Sequence, residues 1–313
     1  MDKIAIIIPC YNEGITIKKV VTDFKMSLPE AVIYVYDNNS TDNTVSEASA
    51  AGAIVKQERL QGKGNVVRRA LREIDAACYL MVDGDDTYPA QSAPELCNAV
   101  LNEGYEMCIG DRLGSNYFTI NKRKGHNSGN SLIRNSINFL FNSKVTDILT
   151  GYRAMSFLFA KSLPILSGGF EIETELTVHG LDKRLNYTSI PIQYQNRPAG
   201  SFSKLHTIKD GSKVLITLFN LFKNYRPLLF FSFVSFILIV AAGLLVYPVF
   251  TEYLRTGLVP RFPTLILSFI LILIAVNAFL IGLNLDSLVN KERREFEFRL
   301  HQLHGIQTRL NEN

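Results

Sequence analysis

Two uncharged apolar segments near the C-terminus restrict the fold more than any other feature of the chain. Residues 227–251 (PLLFFSFVSFILIVAAGLLVYPVFT) and 262–285 (FPTLILSFILILIAVNAFLIGLNL) contain no Asp, Glu, Lys or Arg. A helix of about 20 apolar residues is long enough to cross the hydrocarbon core of a bilayer. A core helix of this length without a polar face would be unusual in a soluble protein. The linker EYLRTGLVPR is short, so we expect a transmembrane hairpin over residues 227–289.

The basic residues around these segments predict the orientation of the hairpin. They are dense outside the two segments and sparse in the linker: Lys213, Lys223 and Arg226 precede the pair, Lys291, Arg293, Arg294 and Arg299 follow it, and Arg255 and Arg261 lie between. Loops rich in Lys and Arg remain on the cytoplasmic side. We therefore expect a multi-pass protein of the inner (cytoplasmic) membrane with both termini in the cytoplasm.

The segments that flank the hairpin are amphipathic or charged. Residues 204–226 alternate basic residues with Leu, Ile and Phe at roughly helical spacing. This pattern favours a juxtamembrane amphipathic helix on the cytoplasmic leaflet, with an ordinary core helix as the alternative. Residues 290–313 predict a cytosolic C-terminal helix, either solvated or part of a self-association seam, because the heptad pattern is too short to distinguish the two.

The first 203 residues have the pattern of an α/β domain. Apolar runs suited to strands occur at 4–9, 31–36, 53–56, 78–82 and 106–110. Each of the first four precedes a helix-like segment, and this alternation predicts a mostly parallel sheet with helices on both faces. The first run has no small-residue cleavage site after it, so we interpret it as a strand and not as a signal peptide.

Polar motifs follow several of these strands. PCYNE (9–13) ends the first strand, DNNSTD (37–42) the second and DGDDTY (83–88) the fourth, while QGKG (61–64) precedes the third helix. In parallel sheets the ligand crevice lies beyond the carboxyl ends of the strands, so these motifs are expected to converge. The chain has neither a GxGxxG turn nor a GKS or GKT phosphate loop.

Three carboxylates stand close together in the DGDDTY motif. Asp83, Asp85 and Asp86 repel one another unless positive charge lies among them. A solvated turn would explain the residue types, but Mg²⁺ or Mn²⁺ would also suit them, since such ions bind through one or two carboxylates plus substrate phosphates. We expect Asp83 and Asp85 to hold the metal, and the metal and a diphosphate together to neutralise the cluster.

Charge and cysteine content argue against two other classes of function. The net charge of +4 is too mild to indicate nucleic-acid binding. The four cysteines form no CxxC pair and no His lies at ligand spacing from them. We expect buried, reduced thiols.

In this order, PCYNE, DNNSTD, QGKG and DGDDTYP resemble the family 2 glycosyltransferases, which have the nucleotide-diphospho-sugar-binding GT-A fold. The resemblance covers roughly residues 3–200. With the hairpin appended, the chain is most similar to polyisoprenyl-phosphate glycosyltransferases, which transfer one sugar from a nucleotide sugar to dolichyl or undecaprenyl phosphate. The resemblance implies a Rossmann-like GT-A catalytic domain over residues 1–203.

The resemblance implies a set of residues that hold the donor and its metal. The nucleotide-sugar set is Pro9, Tyr11, Asn12, Glu13, Asp37, Asn39, Lys63, Asp83, Gly84 and Asp85, and its metal ligands are Asp83 and Asp85. The dolichyl-phosphate branch of the family often has Gln two residues after the second Asp. Here that position is Thr87, which leaves the third metal ligand and the donor sugar open.

Further motifs resemble the acceptor side of the family site. DILTGYRAMS (147–156) makes Asp147 the candidate active-site carboxylate, with a helix cap or a loop ion pair as the alternative, and Arg153 is expected to fix that loop by an ion pair. Asp147, Asp85 and Arg197 are the catalytic candidates. Glu173 lies in the segment that the family places beside the sugar pocket. The candidate acceptor-phosphate residues are Arg112, Lys124, Ser128, Arg153, Arg197, Ser203 and Lys204; attraction to anionic lipid headgroups is the alternative for these basic residues.

The function implied is inverting, metal-dependent transfer of one hexose, from UDP-glucose or UDP-N-acetylglucosamine, to undecaprenyl phosphate for surface glycan modification. Two alternatives remain: a transferase that extends a lipid-linked saccharide, and a catalytically silent membrane scaffold or sensor. A processive synthase is disfavoured because its QxxRW segment needs Trp, which this chain lacks. The hairpin and tail favour a homo-oligomer, for example a tetramer.

Overall fold

The computed structural model of the protein describes residues 1–114, 126–169, 171–198 and 219–312. The chain divides into two compact units. One comprises Met1–Ile208 together with Phe296–Asn313, and the other comprises Lys209–Glu295. The finer boundaries expected from the sequence, at residues 203, 226 and 289, stay predictions.

A seven-stranded sheet forms the centre of the first unit. Its strands are β1 (Asp2–Cys10), β2 (Val32–Asp37), β3 (Ile54–Gln57), β4 (Ala76–Met81), β5 (Met107–Asp111), β6 (Arg153–Ser156) and β7 (Tyr187–Pro191). They lie in the order β3-β2-β1-β4-β6-β5-β7. All pairings are parallel except those of β6, which runs antiparallel to both β4 and β5. The predicted α/β, mostly parallel architecture is therefore confirmed.

Strand register brings the polar motifs to one edge of the sheet. Cys10 at the end of β1 pairs with Asp37 at the end of β2, and Ile7 pairs with Met81 at the end of β4. Residues 4–8 of β1 are each at most 1% exposed, because helices cover both faces of a parallel sheet. The loops that follow β1, β2 and β4 consequently leave the sheet side by side.

Helices cover the sheet: α1 (Ile17–Ser27), α2 (Thr44–Ala50), α3 (Lys63–Glu73), α4 (Ala93–Leu101), α5 (His126–Phe141), α6 (Phe157–Ser162) and α7 (Ile172–Asp182). Helix α3, for example, turns an apolar stripe of Val66, Val67, Ala70 and Leu71 inward. The four cysteines are free and buried in the same core, which confirms the expected buried thiols.

Two long helices dominate the C-terminal part. Helix α8 (Pro227–Thr256) ends at Gly257, whose φ of +69° is the left-handed conformation that glycine adopts without strain. Helix α9 (Phe262–Glu312) then runs without interruption to the end of the described chain. Both are long and apolar enough to cross a membrane, and only 11% and 17% of their apolar windows are buried.

The structure describes only part of the predicted amphipathic helix over 204–226. Residues 219–225 are helical, and residues 204–218 lie outside the described residues.

Candidate active site

Three loops meet where β1, β2 and β4 end, and each contains a residue with unusual backbone geometry. Asn12, Asn39 and Asp86 have φ values of 53°, 67° and 58°. A positive φ is uncommon for residues other than glycine and persists only where surrounding contacts hold it. Hydrogen bonds between neighbouring loops supply such contacts at Asn12 and Asn39.

The first two loops are tied together by hydrogen bonds. The Asn12 amide donates to Ser40 Oγ at 2.9 Å, and the Thr41 amide donates to Asn12 Oδ1 at 2.8 Å. The Glu13 amide donates to Thr44 Oγ1 at 2.9 Å. The PCYNE and DNNSTD motifs therefore form one surface, beside which Asp37 is 3% exposed.

Asn38 connects this surface to the loop that precedes α3. Its amide group donates to Glu58 O at 2.9 Å and Leu60 O at 2.8 Å, and its Oδ1 accepts from the Gly62 amide at 2.7 Å. Asn39 donates to Arg59 O at 2.9 Å in the same way. The loop that carries QGKG is thus fixed beside the other two.

The glycines of QGKG permit a close approach to the 167–168 backbone. A Cβ at Gly62 would lie 2.0 Å from Gly168 O, and a Cβ at Gly64 would lie 2.1 Å from Ser167 O. Gly62 also has a φ of +126°. Only glycine fits at these two positions, and the close approach places Lys63 at the start of α3 deep in the site.

Lys63 joins two carboxylates that come from distant parts of the chain. Its Nζ contacts Asp83, and it lies 2.6 Å from Glu173 Oε1 in the first turn of α7. The side chains of Lys63 and Glu173 are 7% and 6% exposed. Burial opposes the positive charge, but the carboxylates of Asp83 and Glu173 outweigh it and raise the pKa of Lys63. The ammonium therefore stays charged at all working pH values.

Every carboxylate of the acidic cluster has a basic partner. Lys63 contacts Asp83, Arg197 NH2 lies 2.5 Å from Asp85 Oδ2, and Lys19 Nζ lies 2.7 Å from Asp86 Oδ1. Basic side chains of the protein itself therefore supply positive charge to the cluster. Its further neutralisation by a metal and a diphosphate stays a prediction.

Asp85 is the most perturbed member of the cluster. Burial, followed by the charge of Asp83, raises its pKa, while Arg197 opposes the shift. Thr87 Oγ1 donates to Asp85 Oδ1 at 2.6 Å. The residue that replaces the family's Gln therefore orients the second Asp of the D-x-D motif.

The described residues include no group of three or more His, Cys, Asp or Glu side chains placed to hold a metal ion. Asp83 and Asp85 nonetheless suit a hard cation, because such sites use one or two carboxylates and take further oxygens from substrate phosphates. A cation beside Asp85 would also offset the burial and the Asp83 charge that raise the pKa of Asp85. The Asp83 and Asp85 carboxylates therefore fit a metal ion whose other ligands come from the substrate.

The Asp147 carboxylate is buried and is not exposed in the site. It is 2% exposed and accepts from Arg112 Nε at 2.8 Å, from Arg112 NH2 at 3.0 Å and from the Arg112 amide at 3.1 Å. This is the loop ion pair that the sequence left as the alternative. The carboxylate holds Arg112, whose guanidinium lies 5.7 Å from the centre of the Tyr194 ring.

Arg153 differs from both expectations for it. The residue is fully buried, and it donates to Ile148 O at 2.6 Å, Thr150 O at 3.0 Å and Thr177 Oγ1 at 2.9 Å. Burial lowers its pKa to about 10. Among the described residues, Arg153 fixes the loop through two carbonyl oxygens and the Thr177 hydroxyl and not through an ion pair. Its guanidinium is buried and so is not available to an acceptor phosphate.

Some of the remaining expected residues lie at the site, and the others are not among the residues that the structure describes. Pro9 and Gly84 lie beside it, since a Cβ on Gly84 would be 2.8 Å from Cys10 Sγ, and Tyr11 is 38% exposed at its rim. Lys124, Ser203, Lys204 and the side chain of Ser128 lie outside the described residues.

Sequence reasoning missed Lys19, Thr87 as an orienting group, and Tyr88. The buried Tyr88 hydroxyl accepts from the Gly151 amide at 3.0 Å. Lys19 and Asp86 are 67 residues apart, and no local pattern signals such a pair.

Known structures share this fold. Glucosyl-3-phosphoglycerate synthase from Mycobacterium tuberculosis, with phosphoglyceric acid bound, superposes with a TM-score of 0.55 at 23% identity, over 70% of this chain and 79% of that one. The same enzyme bound to Mn²⁺, UDP and phosphoglyceric acid gives a TM-score of 0.52 at 24% identity, over 63% and 72% of the two chains. At this identity the likeness shows the GT-A fold.

Sequence relatives are closer. Protein RfbJ from Shigella flexneri is 54% identical over 39% of this chain and 95% of its own length. Glycosyltransferase AglJ from Haloferax volcanii is 32% identical over 96% of this chain and 98% of its own length. The family model for Glycosyl transferase family 2 matches residues 5–163, just over half of the chain. The chain therefore belongs to glycosyl transferase family 2 and is a transferase enzyme.

Proposed function

We propose that the protein transfers a single hexose from a nucleotide sugar to a polyprenyl phosphate, with inversion at the anomeric carbon. The observation that carries the proposal is the position of Asp83 and Asp85 beside the loops that follow β1 and β2. Asp83 is paired with Lys63, and Asp85 is paired with Arg197. Such a site has anionic ligands for a metal and, in Arg197, a cation for a diphosphate.

A UDP-sugar is the proposed donor, with UDP-glucose or UDP-N-acetylglucosamine as the candidates. Support comes from the structural neighbour, whose complex contains UDP and Mn²⁺. The loops around Asn12, Asp37 and Asn39 would bind the nucleoside, and Asp83 and Asp85 would hold Mg²⁺ or Mn²⁺. The bound cation would supply Lewis-acid stabilisation of the charge on the leaving diphosphate.

Arg197 is proposed to change partner during binding. In the structure it neutralises Asp85, with NH2 2.5 Å from Asp85 Oδ2. A cation on Asp85 would release the guanidinium, and Arg suits the bidentate recognition of a phosphate. Lys63 remains clamped between Asp83 and Glu173 and keeps Asp83 in place.

The acceptor does not need a strong general base. A phosphate monoester has a second pKa of about 6 and is largely ionised near neutral pH. Its oxygen attacks the anomeric carbon, the bond to the nucleoside diphosphate breaks on the opposite face, and the configuration inverts. Asp147 is committed to Arg112, so its proposed role is to position that guanidinium for the acceptor and not to remove a proton.

A lipid acceptor is supported by the two helices that are long and apolar enough to cross a membrane. The proposed location is the inner membrane with the catalytic unit and both termini in the cytoplasm, as a homo-oligomer such as a tetramer. The product would serve surface glycan modification. Extension of a lipid-linked saccharide is the second candidate, favoured only by the same membrane helices.

The test is a donor screen with the full-length protein purified into lipid. Each radiolabelled UDP-sugar is supplied with undecaprenyl phosphate and Mg²⁺ or Mn²⁺, and both released UDP and extracted labelled lipid are measured. We expect equal amounts of the two products with one donor. UDP release that requires a lipid-linked saccharide would favour the second candidate, and no turnover with any donor would contradict both.

Asp85→Asn tests the proposed metal ligand. We expect the rate of transfer to fall by about 100-fold or more, the size of effect seen when a preorganised charge is removed from an active site. Glu30→Gln is the matched control because Glu30 is an exposed acid that pairs only loosely with Lys3 at 3.8 Å. Equal rates for Asp85→Asn and the wild type would refute the assignment.

A further inference from the structure

Helix α5 presents large apolar side chains to solvent on the side opposite the core. Phe139 is 72% exposed and Leu132 is 47% exposed, whereas Ile133, Ile137 and Leu140 are buried. Leu132 and Phe139 are seven residues apart, so they lie on one face of the helix. Asn135, between them, is also exposed. We call Leu132, Asn135 and Phe139 the α5 outer face.

The α5 outer face has no charge, unlike an ordinary solvated helix face. Among the described side chains of α5, Arg134 is the one ionisable group, and it is half-buried. Its guanidinium donates to Ser131 Oγ at 3.3 Å. A helix that buries one apolar stripe and exposes another has a second surface to cover.

The sequence around α5 is basic without exception. Residues 112–146 contain no Asp or Glu, although the whole chain has 29 acidic residues among its 313. The same stretch contains Arg112, Lys122, Arg123, Lys124, Arg134 and Lys144. Of these, Lys144 is exposed just beyond the end of α5. Arg112 is paired with Asp147, which follows this stretch. The apolar face therefore belongs to a segment with five further basic residues and no acidic residue.

We propose that the α5 outer face docks on the surface of an anionic lipid bilayer. Apolar residues flanked by Lys and Arg are the pattern that inserts at the boundary between headgroups and acyl chains. Each basic residue near an anionic leaflet contributes attraction. The chain also contains two helices able to cross a bilayer. This contact is additional to the amphipathic helix expected over 204–226, and it does not depend on which sugar or acceptor the enzyme uses.

Electrostatics disfavour a second copy of the chain as the occupant. A two-fold symmetric contact places the same patch of both subunits face to face. Two segments that each retain five basic residues beyond the Arg112–Asp147 pair would then repel one another. An anionic leaflet offers the opposite charge.

The test places a spin label on the full-length protein in vesicles. The four native cysteines are buried, so Phe139→Cys and Leu132→Cys can be labelled selectively with a nitroxide. Met26→Cys on α1 is the matched control, since Met26 is 68% exposed. Collision rates are measured with oxygen, which concentrates in the bilayer, and with a water-soluble nickel chelate, in phosphatidylcholine vesicles with and without phosphatidylglycerol.

For the labels at 132 and 139 we expect the ratio of oxygen to nickel collisions to rise several-fold in the anionic vesicles, while the label at 26 stays water-like. Lys144→Glu should reduce that rise, because it inserts a negative charge beside the face. Water-like collisions at 132 and 139 in anionic vesicles would overturn the proposal. So would dipolar broadening between labels that is independent of lipid charge, because it would identify a second copy as the occupant.

Discussion

The buried Lys63 ammonium links the loop of β4 to helix α7 through its contacts with Asp83, which is partly exposed, and Glu173, which is buried. Removing one partner of a buried ion pair leaves an uncompensated charge, which typically costs about 3–5 kcal/mol. We predict that Lys63→Met lowers the free energy of unfolding by roughly 3 kcal/mol, together with loss of transfer activity. The measurement is chemical unfolding in detergent followed by circular dichroism.

A double-mutant cycle separates this network from a general packing defect. Glu173→Gln alone leaves Lys63 paired with Asp83, so it should cost less than Lys63→Met. In the double variant, the loss of unfolding free energy should be smaller than the sum of the two single losses, because the substitutions of contacting residues are not additive. Strict additivity of the two losses would show that Lys63 does not hold Glu173.

At the residue scale, local sequence predicted which carboxylates follow β4 but not their partners. Asp83 and Asp85 come directly after β4, as the D-x-D spacing indicated, and their role as metal ligands stays a prediction. Lys63 and Glu173 are 110 residues apart, and Lys19 reaches Asp86 across 67 residues. Such pairs follow from the packed sheet and helices, which a linear motif does not encode.

Helix α7 and the C-terminal part of α9 meet through aromatic rings. The centre of the His179 ring lies 5.7 Å from that of Phe159 and 5.4 Å from that of Phe296, both edge-on. Within the part of the chain that the structure describes, His179 Nε2 has no hydrogen-bond partner. Burial, assisted by Lys183 and opposed by Asp182, lowers the pKa of His179 to about 4.

This shift predicts acid sensitivity of the contact. Between pH 6.5 and 4 the unfolded chain binds a proton at His179 and the folded protein does not. Stability therefore falls as the pH decreases through this window, by up to roughly 3 kcal/mol. The difference between the melting temperatures at pH 7 and pH 4.5 should be smaller in His179→Leu than in the wild type. The same pH dependence in both proteins would exclude His179 as its source.

Apolar periodicity found five strands but missed β6 and β7. Strand β6 has four residues and begins with the fully buried Arg153, a charge that a sequence pattern assigns to solvent. It also runs antiparallel between β4 and β5, whereas strand-helix alternation predicts only parallel neighbours. Strands β1, β2, β4 and β5 were predictable because each contains a run of buried apolar residues.

For the whole molecule, the charge-free segments predicted α8 and the first part of α9, and the orientation expected from the flanking charges stays a prediction. We predict that Leu258→Cys, in the exposed linker between them, reacts with a membrane-impermeant maleimide applied to spheroplasts. Glu30→Cys in the catalytic unit should react only after lysis. The buried native cysteines keep the background low, and the reverse labelling pattern would show the opposite orientation.

The positive φ angles of Asn12, Asn39 and Asp86 have a consequence for protein engineering. Glycine would relax each backbone, a gain of about 1 kcal/mol at such positions. It would also delete the side chains through which Asn12 and Asn39 brace neighbouring loops. A variant stabilised by glycine at these positions should therefore have lower activity. The tips of the three loops are thus poor sites for stabilising substitutions.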